Sequence, residues 1–233
     1  MVNLELEKKN AARAALSYVK DDMVVGLGTG TTAKYFIELL CEKVRSGKLK
    51  RIRGVCTSHD SRELALFGKL NTVSLDHIEQ IDLAVDGADS VDAKLNSIKG
   101  GGGALAREKI IAYNAKKFIL IADETKYHKT LANVAVPIEV MEFACPLVLR
   151  NFRKMGMRSE VRKSSGGKIG PVITDNGNFL MDVHMDVLDA KKDEERLKNI
   201  PGVLEVGIFT KCDLLILGKE KGFEEIKNCP AVF

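Results

Sequence analysis

Apolar and polar residues alternate along this 233-residue chain in two rhythms, one helical and one strand-like. Leu4, Ala11, Ala12, Ala15, Leu16 and Val19 form a stripe at helical spacing. Residues 23–27 are a short apolar run that predicts a strand, ended by a glycine-rich turn. Ala33, Phe36, Ile37, Leu40 and Val44 mark one face of a second helix. A strand over 52–56, a helix over 61–70, a strand over 81–85, a helix over 104–115 and a strand over 118–122 complete this half. Strands alternating with helices predict a mostly parallel sheet covered on both faces. Ligands of such sheets sit beyond the carboxyl ends of the strands. A site is therefore expected in the loops after Leu27, Cys56, Val85 and Ala122.

Near residue 132 the pattern changes. Residues 134–140 read as a strand, in which Pro137 argues for an edge or a break. Pro146 suits the first turn of a helix that Gly156 ends. A strand over 158–162 precedes the run 172–183, which contains the hairpin signal Asp175-Asn176-Gly177-Asn178. A helix over 190–199 and a strand over 203–209 follow. That β-α-β-β-α-β order is the split βαβ, or ferredoxin-like, arrangement. A last apolar strand over 214–217 can return to the first sheet. The expected fold is a larger α/β domain over 1–131 and 206–233, with a smaller α+β domain over 132–205 inserted late.

Composition narrows the functional classes. Hydrophobic residues make up 45% and charged residues 29%, so a packed globular chain is expected rather than a disordered one. The 36 basic and 32 acidic residues are spread along the chain. The short basic cluster at 48–53 reads as a solvated loop, with no aromatic-rich basic module to make it a nucleic-acid partner site. Five scattered cysteines form no CxxC, and the four histidines never fall at metal-ligand spacing, so no metal and no redox pair is signalled. The N-terminus has no signal-peptide core and no run of 18 apolar residues occurs, which makes a membrane partner unexpected and a reducing, cytoplasmic location the default.

Three segments carry chemistry. Gly26-Leu27-Gly28-Thr29-Gly30-Thr31-Thr32 lies between a strand and a helix, where free N–H groups and the helix dipole attract an anion. It is not a P-loop, because no Lys follows the last glycine. It is not a dinucleotide fingerprint either, because Thr31 holds the third glycine position and Cys56-Thr57-Ser58 stands where a ribose-binding acid belongs. A phosphate monoester fits it; the plain alternative is a tight turn without ligand. Asp86-Gly87-Ala88-Asp89 places two acids three residues apart, able to hold sugar hydroxyls or to divide into acid and base. An Asx turn ending the strand is the competing reading. Asp92 and Lys94 read as ordinary loop residues.

The third segment runs Lys99-Gly100-Gly101-Gly102-Gly103 into a helix. On that helix Glu108 has the apolar neighbours Ala104, Leu105, Ile111 and Ala112. A carboxylate on such a face is desolvated, the environment that suits a general base. Arg107 has a similar surround, so a buried salt bridge remains the alternative. Lys99 and the glycine N–H groups can stabilise an oxyanion. Lys126 lies just past a strand end, and Lys8 lies on the apolar stripe of the first helix, where it snorkels outward or meets an anion.

Together GLGTGTT, TSHDS, DLAVDGAD, IKGGGGALAREKIIA, ADETK, VITDNGNFLMDV and IPGVLEVGIF resemble the type A family of ribose-5-phosphate isomerases, over nearly the whole chain. The resemblance implies cofactor-free interconversion of ribose 5-phosphate and ribulose 5-phosphate. It implies Glu108 as the base, with Asp86, Asp89 and Lys99 opening the sugar ring and stabilising the enediolate. Substrate contacts are implied at Thr29, Gly30, Thr31 and Thr32, at Gly87 and Ala88, at Gly100, Gly101 and Gly102, and at Lys126 and Lys8. It further implies a Rossmann-like domain with an inserted ferredoxin-like domain serving assembly as a homodimer or homotetramer. One departure is visible: Ser90 stands where the family usually has Glu after DGAD. The alternative is a non-catalytic sugar-phosphate-binding regulatory domain, which needs the phosphate loop but not Glu108. A CoA-transferase-like use of Glu108 as nucleophile calls for a longer chain.

Overall fold

The computed structural model describes residues 3–165, 167 and 169–228, so Cys229 falls outside them. The chain divides into two compact units: the first takes the described residues of 1–88, 107–127 and 211–233, the second those of 89–106 and 128–210.

In the first unit the strands line up as Gly222–Lys227, Leu214–Lys219, Ala115–Asp123, Ile81–Gly87, Val24–Leu27, Arg53–Cys56 and Asn71–Thr72. Every pairing is parallel except that of Gly222–Lys227 with Leu214–Lys219. Alternate strand residues, Val25 and Leu27, Leu83 and Val85, Ile119 and Ile121, Leu214 and Ile216, share one buried cluster. Ala11 and Ala15 of helix Leu4–Leu16 and Phe36 and Leu40 of helix Thr31–Arg45 complete it. This is the period of two meeting the period of 3.6. The opposite face is equally tight. A Cβ at Gly26 would overlap Ile111 of helix Leu105–Asn114.

Two details differ from the expected pattern. Leu4 is exposed, and the first helix instead buries Glu7, whose carboxylate accepts the Glu124 N–H at 3.3 Å. The edge strand Gly222–Lys227 went unexpected because its exposed Glu224 and Glu225 break any apolar run, which is how sheet edges are kept from pairing further.

The second unit holds an antiparallel sheet ordered Val203–Val206, Leu131–Val140, Phe179–Val187, Arg158–Val161. With helices Cys145–Lys154 and Ala190–Lys198 it has the anticipated β-α-β-β-α-β order. Pro137, however, lies within a strand that has neighbours on both sides. It is tolerated because strand Val203–Val206 pairs only as far as Ile138, and Gly207 N–H then donates to the Pro137 carbonyl at 2.7 Å. The expected strand over 203–209 is two: Gly207 breaks it, and Ile208–Phe209 pairs with Ser97–Ile98 in a three-stranded sheet completed by Ser90–Val91. The Asp175–Asn178 turn is pinned from the sheet. Buried Glu139 accepts from Thr174 Oγ1 at 2.9 Å, Asn176 Nδ2 at 3.0 Å and Asn178 Nδ2 at 2.8 Å.

Cys41, Cys56, Cys145 and Cys212 are free thiols. Burial pushes the Cys212 thiol up to about 12 and the Cys56 thiol up to about 11, so both are protonated at neutral pH and pack as small hydrophobes. Among the described residues no helix is long and apolar enough to cross a membrane.

The first helix lies directly on strand Leu214–Lys219, where a Cβ at Gly218 would overlap the Glu7 carbonyl. Overpacking of this kind costs about 1–3 kcal/mol, and each kcal/mol is worth about 2–4 °C in a chain of this size. Gly218→Ala is therefore expected to lower Tm by several degrees in a thermal melt; an unchanged Tm contradicts the close packing.

Candidate active site

The glycine-rich turn after strand Val24–Leu27 opens onto helix Thr31–Arg45. Gly30 caps that helix with φ +103°, a left-handed conformation that glycine adopts without strain, and no described side chain caps it. Its first N–H groups and the positive end of its dipole are thus presented to an anion. Thr31 is exposed, and Thr32 is buried. Thr29 turns the other way: its Oγ1 lies 2.7 Å from both Thr57 Oγ1 and Ser58 Oγ. Ser58 in turn caps helix His59–Phe67 through the Ser61 N–H at 3.0 Å. Thr57, Ser58 and Ser61 were missed as supports of the loop. Thr57 and Ser58 stand in the expected site loop after Cys56, and the Ser58–Ser61 capping spacing was a further signal.

Asp86 sits near the end of strand Ile81–Gly87 and is 3% exposed. Its Oδ1 accepts the Thr29 N–H at 3.0 Å and the Gly87 N–H at 2.7 Å. The carboxylate therefore stitches two strand-end loops together. Gly28 makes room for it, since a Cβ there would overlap Asp86 itself. Gly87 stays close to the glycine-rich turn, its Cβ position 3.9 Å from both the Thr29 carbonyl and Thr32 Cβ. Half-buried Ala88 ends the first of the three stretches that make up this unit.

Glu108, also 3% exposed, and Lys109 are both buried in their helix turn, whereas Arg107 is half-buried. Ile111, one turn on, is the side chain seated on Gly26. Lys126 ends a 3₁₀ turn, Glu124–Lys126, directly after strand Ala115–Asp123, whose Leu120 pairs with Asp86. Asp123 Oδ1 holds that turn through the Thr125 N–H at 3.1 Å. Lys8 is paired with Glu5 at 2.8 Å. Its neighbour Glu7 touches the Glu124 N–H and so brings the start of the first helix beside the Lys126 turn. The first unit thus gathers Thr29, Asp86, Lys126 and the helix that carries Glu108 at the strands' carboxyl ends.

The second unit carries Asp89, Lys99 and the glycines. Asp89 donates its N–H to the Ile98 carbonyl at 2.8 Å, and its Oδ2 accepts the Gly101 N–H at 2.7 Å. Ser90 pairs with Ile98 and so belongs to a short strand. Lys99 is 2% exposed, with its N–H on the Gly207 carbonyl at 2.8 Å and its Nζ 5.5 Å from the Phe209 ring centroid. Gly100 takes φ +104° and accepts the Gly103 N–H at 2.9 Å, while Gly101 and Gly102 are exposed. Asp92 is more than a bystander: it accepts the N–H groups of Lys94 and Asn96, each at 2.8 Å, and shapes the turn. Among the described residues no cluster of three or more His, Cys, Asp or Glu side chains is placed to hold a metal ion.

Residues 53–222 match the model of one protein family, ribose 5-phosphate isomerase A (phosphoriboisomerase A). The chain belongs to that family. A ribose-5-phosphate isomerase A from Methanococcus maripaludis is 48% identical over 223 residues, covering 95% of this chain and 92% of its own. One from Pyrococcus horikoshii is 44% identical over 230 residues, covering 97% and 100%. Among solved structures, a D-ribose-5-phosphate isomerase in complex with phospho-erythronic acid superposes with a TM-score of 0.94 at 44% identity, over 97% of this chain and 99% of that one. Ribose 5-phosphate isomerase A from Methanocaldococcus jannaschii gives 0.91 at 42% identity, over 94% and 97%. A Rossmann-like sheet with a smaller second sheet is therefore the fold of this isomerase A chain as of its relatives.

Because Gly28 leaves room for Asp86, Gly28→Ala is expected to push the carboxylate off the Thr29 N–H. Binding of inorganic phosphate, followed by calorimetry, should weaken at least about tenfold, the scale of one charge-assisted hydrogen bond. Unchanged affinity would show that Asp86 does not shape the anion loop.

Proposed function

We propose that this chain interconverts D-ribose 5-phosphate and D-ribulose 5-phosphate by moving one proton between C1 and C2, through an enediolate, in the non-oxidative pentose phosphate pathway. The observation that carries the reading is Glu108. It is a carboxylate buried on an apolar helix face, in the same unit as a helix N-terminus that no described side chain caps and that suits a phosphate. A regulatory sensor needs the second feature but not the first, and membership of an isomerase family counts against it.

Each residue then takes a role. The N–H groups after Gly30, with Thr31 and Thr32, grip the phosphate, helped by Lys126 and Lys8; that grip positions the rest of the molecule. Asp86 and Asp89 exchange hydrogen bonds with sugar hydroxyls. As the ring opens, the O1 proton leaves and the ring oxygen gains one. Glu108 removes the C2 proton of the open aldose, and the electron pair forms the C1–C2 double bond of the enediolate. Lys99 and the N–H groups of Gly100 and Gly102 face the negative oxygen, a type of contact worth roughly 3–4 kcal/mol at the transition state, while the Gly101 N–H holds Asp89 Oδ2. Glu108 then returns the proton to C1 as the O2 proton passes to O1 and the C1–C2 double bond gives way to the C2 carbonyl. Substrate and product contain the same atoms and electrons, so the reaction consumes no cofactor. Cytoplasmic operation as a homodimer or homotetramer, with the smaller unit serving assembly, belongs to the same reading.

Glu108→Gln keeps the shape of the side chain and removes the base. Turnover of ribose 5-phosphate is expected to fall by roughly 10²–10⁴-fold, while phospho-erythronic acid still binds within a few-fold. Near-normal turnover would remove Glu108 from the role of base. For the anion loop, Thr31→Val should weaken binding of inorganic phosphate, and equal affinity counts against its part in the grip.

A further inference from the structure

Arg162 was singled out by no motif, yet its guanidinium bridges Asp182 and the glycine loop of its own unit. Nε donates to Asp182 Oδ2 at 2.7 Å and Nη2 to Asp182 Oδ1, a fork on a carboxylate of strand Phe179–Val187. Nη1 reaches the carbonyls of Gly100 at 3.0 Å and Gly101 at 2.8 Å. Both ends of the pair are mostly buried, with 22% and 17% of the side chains exposed, where a bidentate charged contact is directional and strong.

The Gly100 carbonyl and the Gly101 N–H belong to one peptide plane and point in opposite directions from it. Arg162 holds the carbonyl edge, and Asp89 Oδ2 holds the N–H edge at 2.7 Å. Glycines on both sides leave that plane without steric restraint of its own. Gly100 already takes φ +104°, and a Cβ at Gly101 would lie 2.5 Å from Asp89 Oδ1. A cation on the carbonyl also polarises the amide, which strengthens the N–H as a donor.

We infer that Arg162 is a positioning residue: braced by Asp182, it locks the Gly100–Gly101 peptide and so fixes the orientation of the Asp89 carboxylate. The inference rests on the proposed role of Asp89 toward the sugar. Arg162 touches no reacting atom and acts only through that peptide. Lysine cannot replace it, since one ammonium cannot fork a carboxylate and reach two carbonyls in the same plane.

The test is a double-mutant cycle between Arg162→Met and Asp89→Asn, with Arg162→Lys as a second variant should the first fail to fold. In the wild-type background either change at Arg162 is expected to lower kcat for ribose 5-phosphate at least about tenfold, with KM changed by less than about threefold. In the Asp89→Asn background the same change should cost less than about twofold, because the route it acts through is gone. Losses that multiply in full overturn the inference. Amide hydrogen exchange at Gly101, read by NMR, supplies a measurement independent of turnover. It should quicken at least about tenfold in either Arg162 variant, and unchanged exchange overturns the inference even if the wild-type chain turns over no ribose 5-phosphate. That last result would sink the proposed function separately.

Discussion

A carboxylate buried at the end of a parallel strand must be met by donors, because burying a charge without partners is expensive. Asp86 satisfies this with the N–H groups of Thr29 and Gly87, and much of the first unit follows from that arrangement. The glycine-rich turn is drawn against the neighbouring strand, which only glycine at position 28 permits. The Thr29 peptide is fixed, its hydroxyl is turned into the Thr57–Ser58 cluster, and the next helix begins at Gly30 with its N–H groups uncapped by any described side chain. A helix N-terminus of the kind that suits an anion thus arises from a structural requirement of the sheet edge, without a lysine in the loop.

The glycines of this chain do different physical work. Gly26 lets helix Leu105–Asn114 approach the sheet, and that helix orients Glu108. Gly28 makes room for a side chain, and Gly218 for the backbone of the first helix. In the run of four, Gly100 supplies a left-handed turn, and Gly101 brings an N–H against Asp89. Taken alone such a run is a weak structural element. Here it is held from both edges of its peptide plane, by a carboxylate on one side and a guanidinium on the other.

Much of the architecture was legible because it is written locally. The strands at Val24–Leu27, Ile81–Gly87 and Ala115–Asp123 are apolar runs between helical stripes, and buried parallel strands have that composition. The β-α-β-β-α-β order of the second unit and its Asp175–Asn178 turn were readable for the same reason. What escaped depends on neighbours. Pro137 reads as an edge signal, but its acceptability is decided by where strand Val203–Val206 stops. Residues 203–209 look like one strand, and only the partners on either side of Gly207 make them two. Strand Gly222–Lys227 has an exposed, charged sequence and exists because Leu214–Lys219 offers it an edge.

Sequence by itself determined the chemical inventory: the two acids at 86 and 89, the lysine nine residues before Glu108, the glycines between them, and the apolar surround that turns Glu108 inward. Those features are set by residue type and short spacing, which local geometry translates directly into a shared face or turn. Tertiary structure alone decided which side chains hold the inventory in place. Thr57 and Ser58 on Thr29, Glu7 beside the Lys126 turn, and Asp182 through Arg162 on the glycine loop are distant in sequence from what they support. Hydrogen bonds are directional and short-ranged, so such supports come into being only once packing has brought distant segments within about 3 Å of one another.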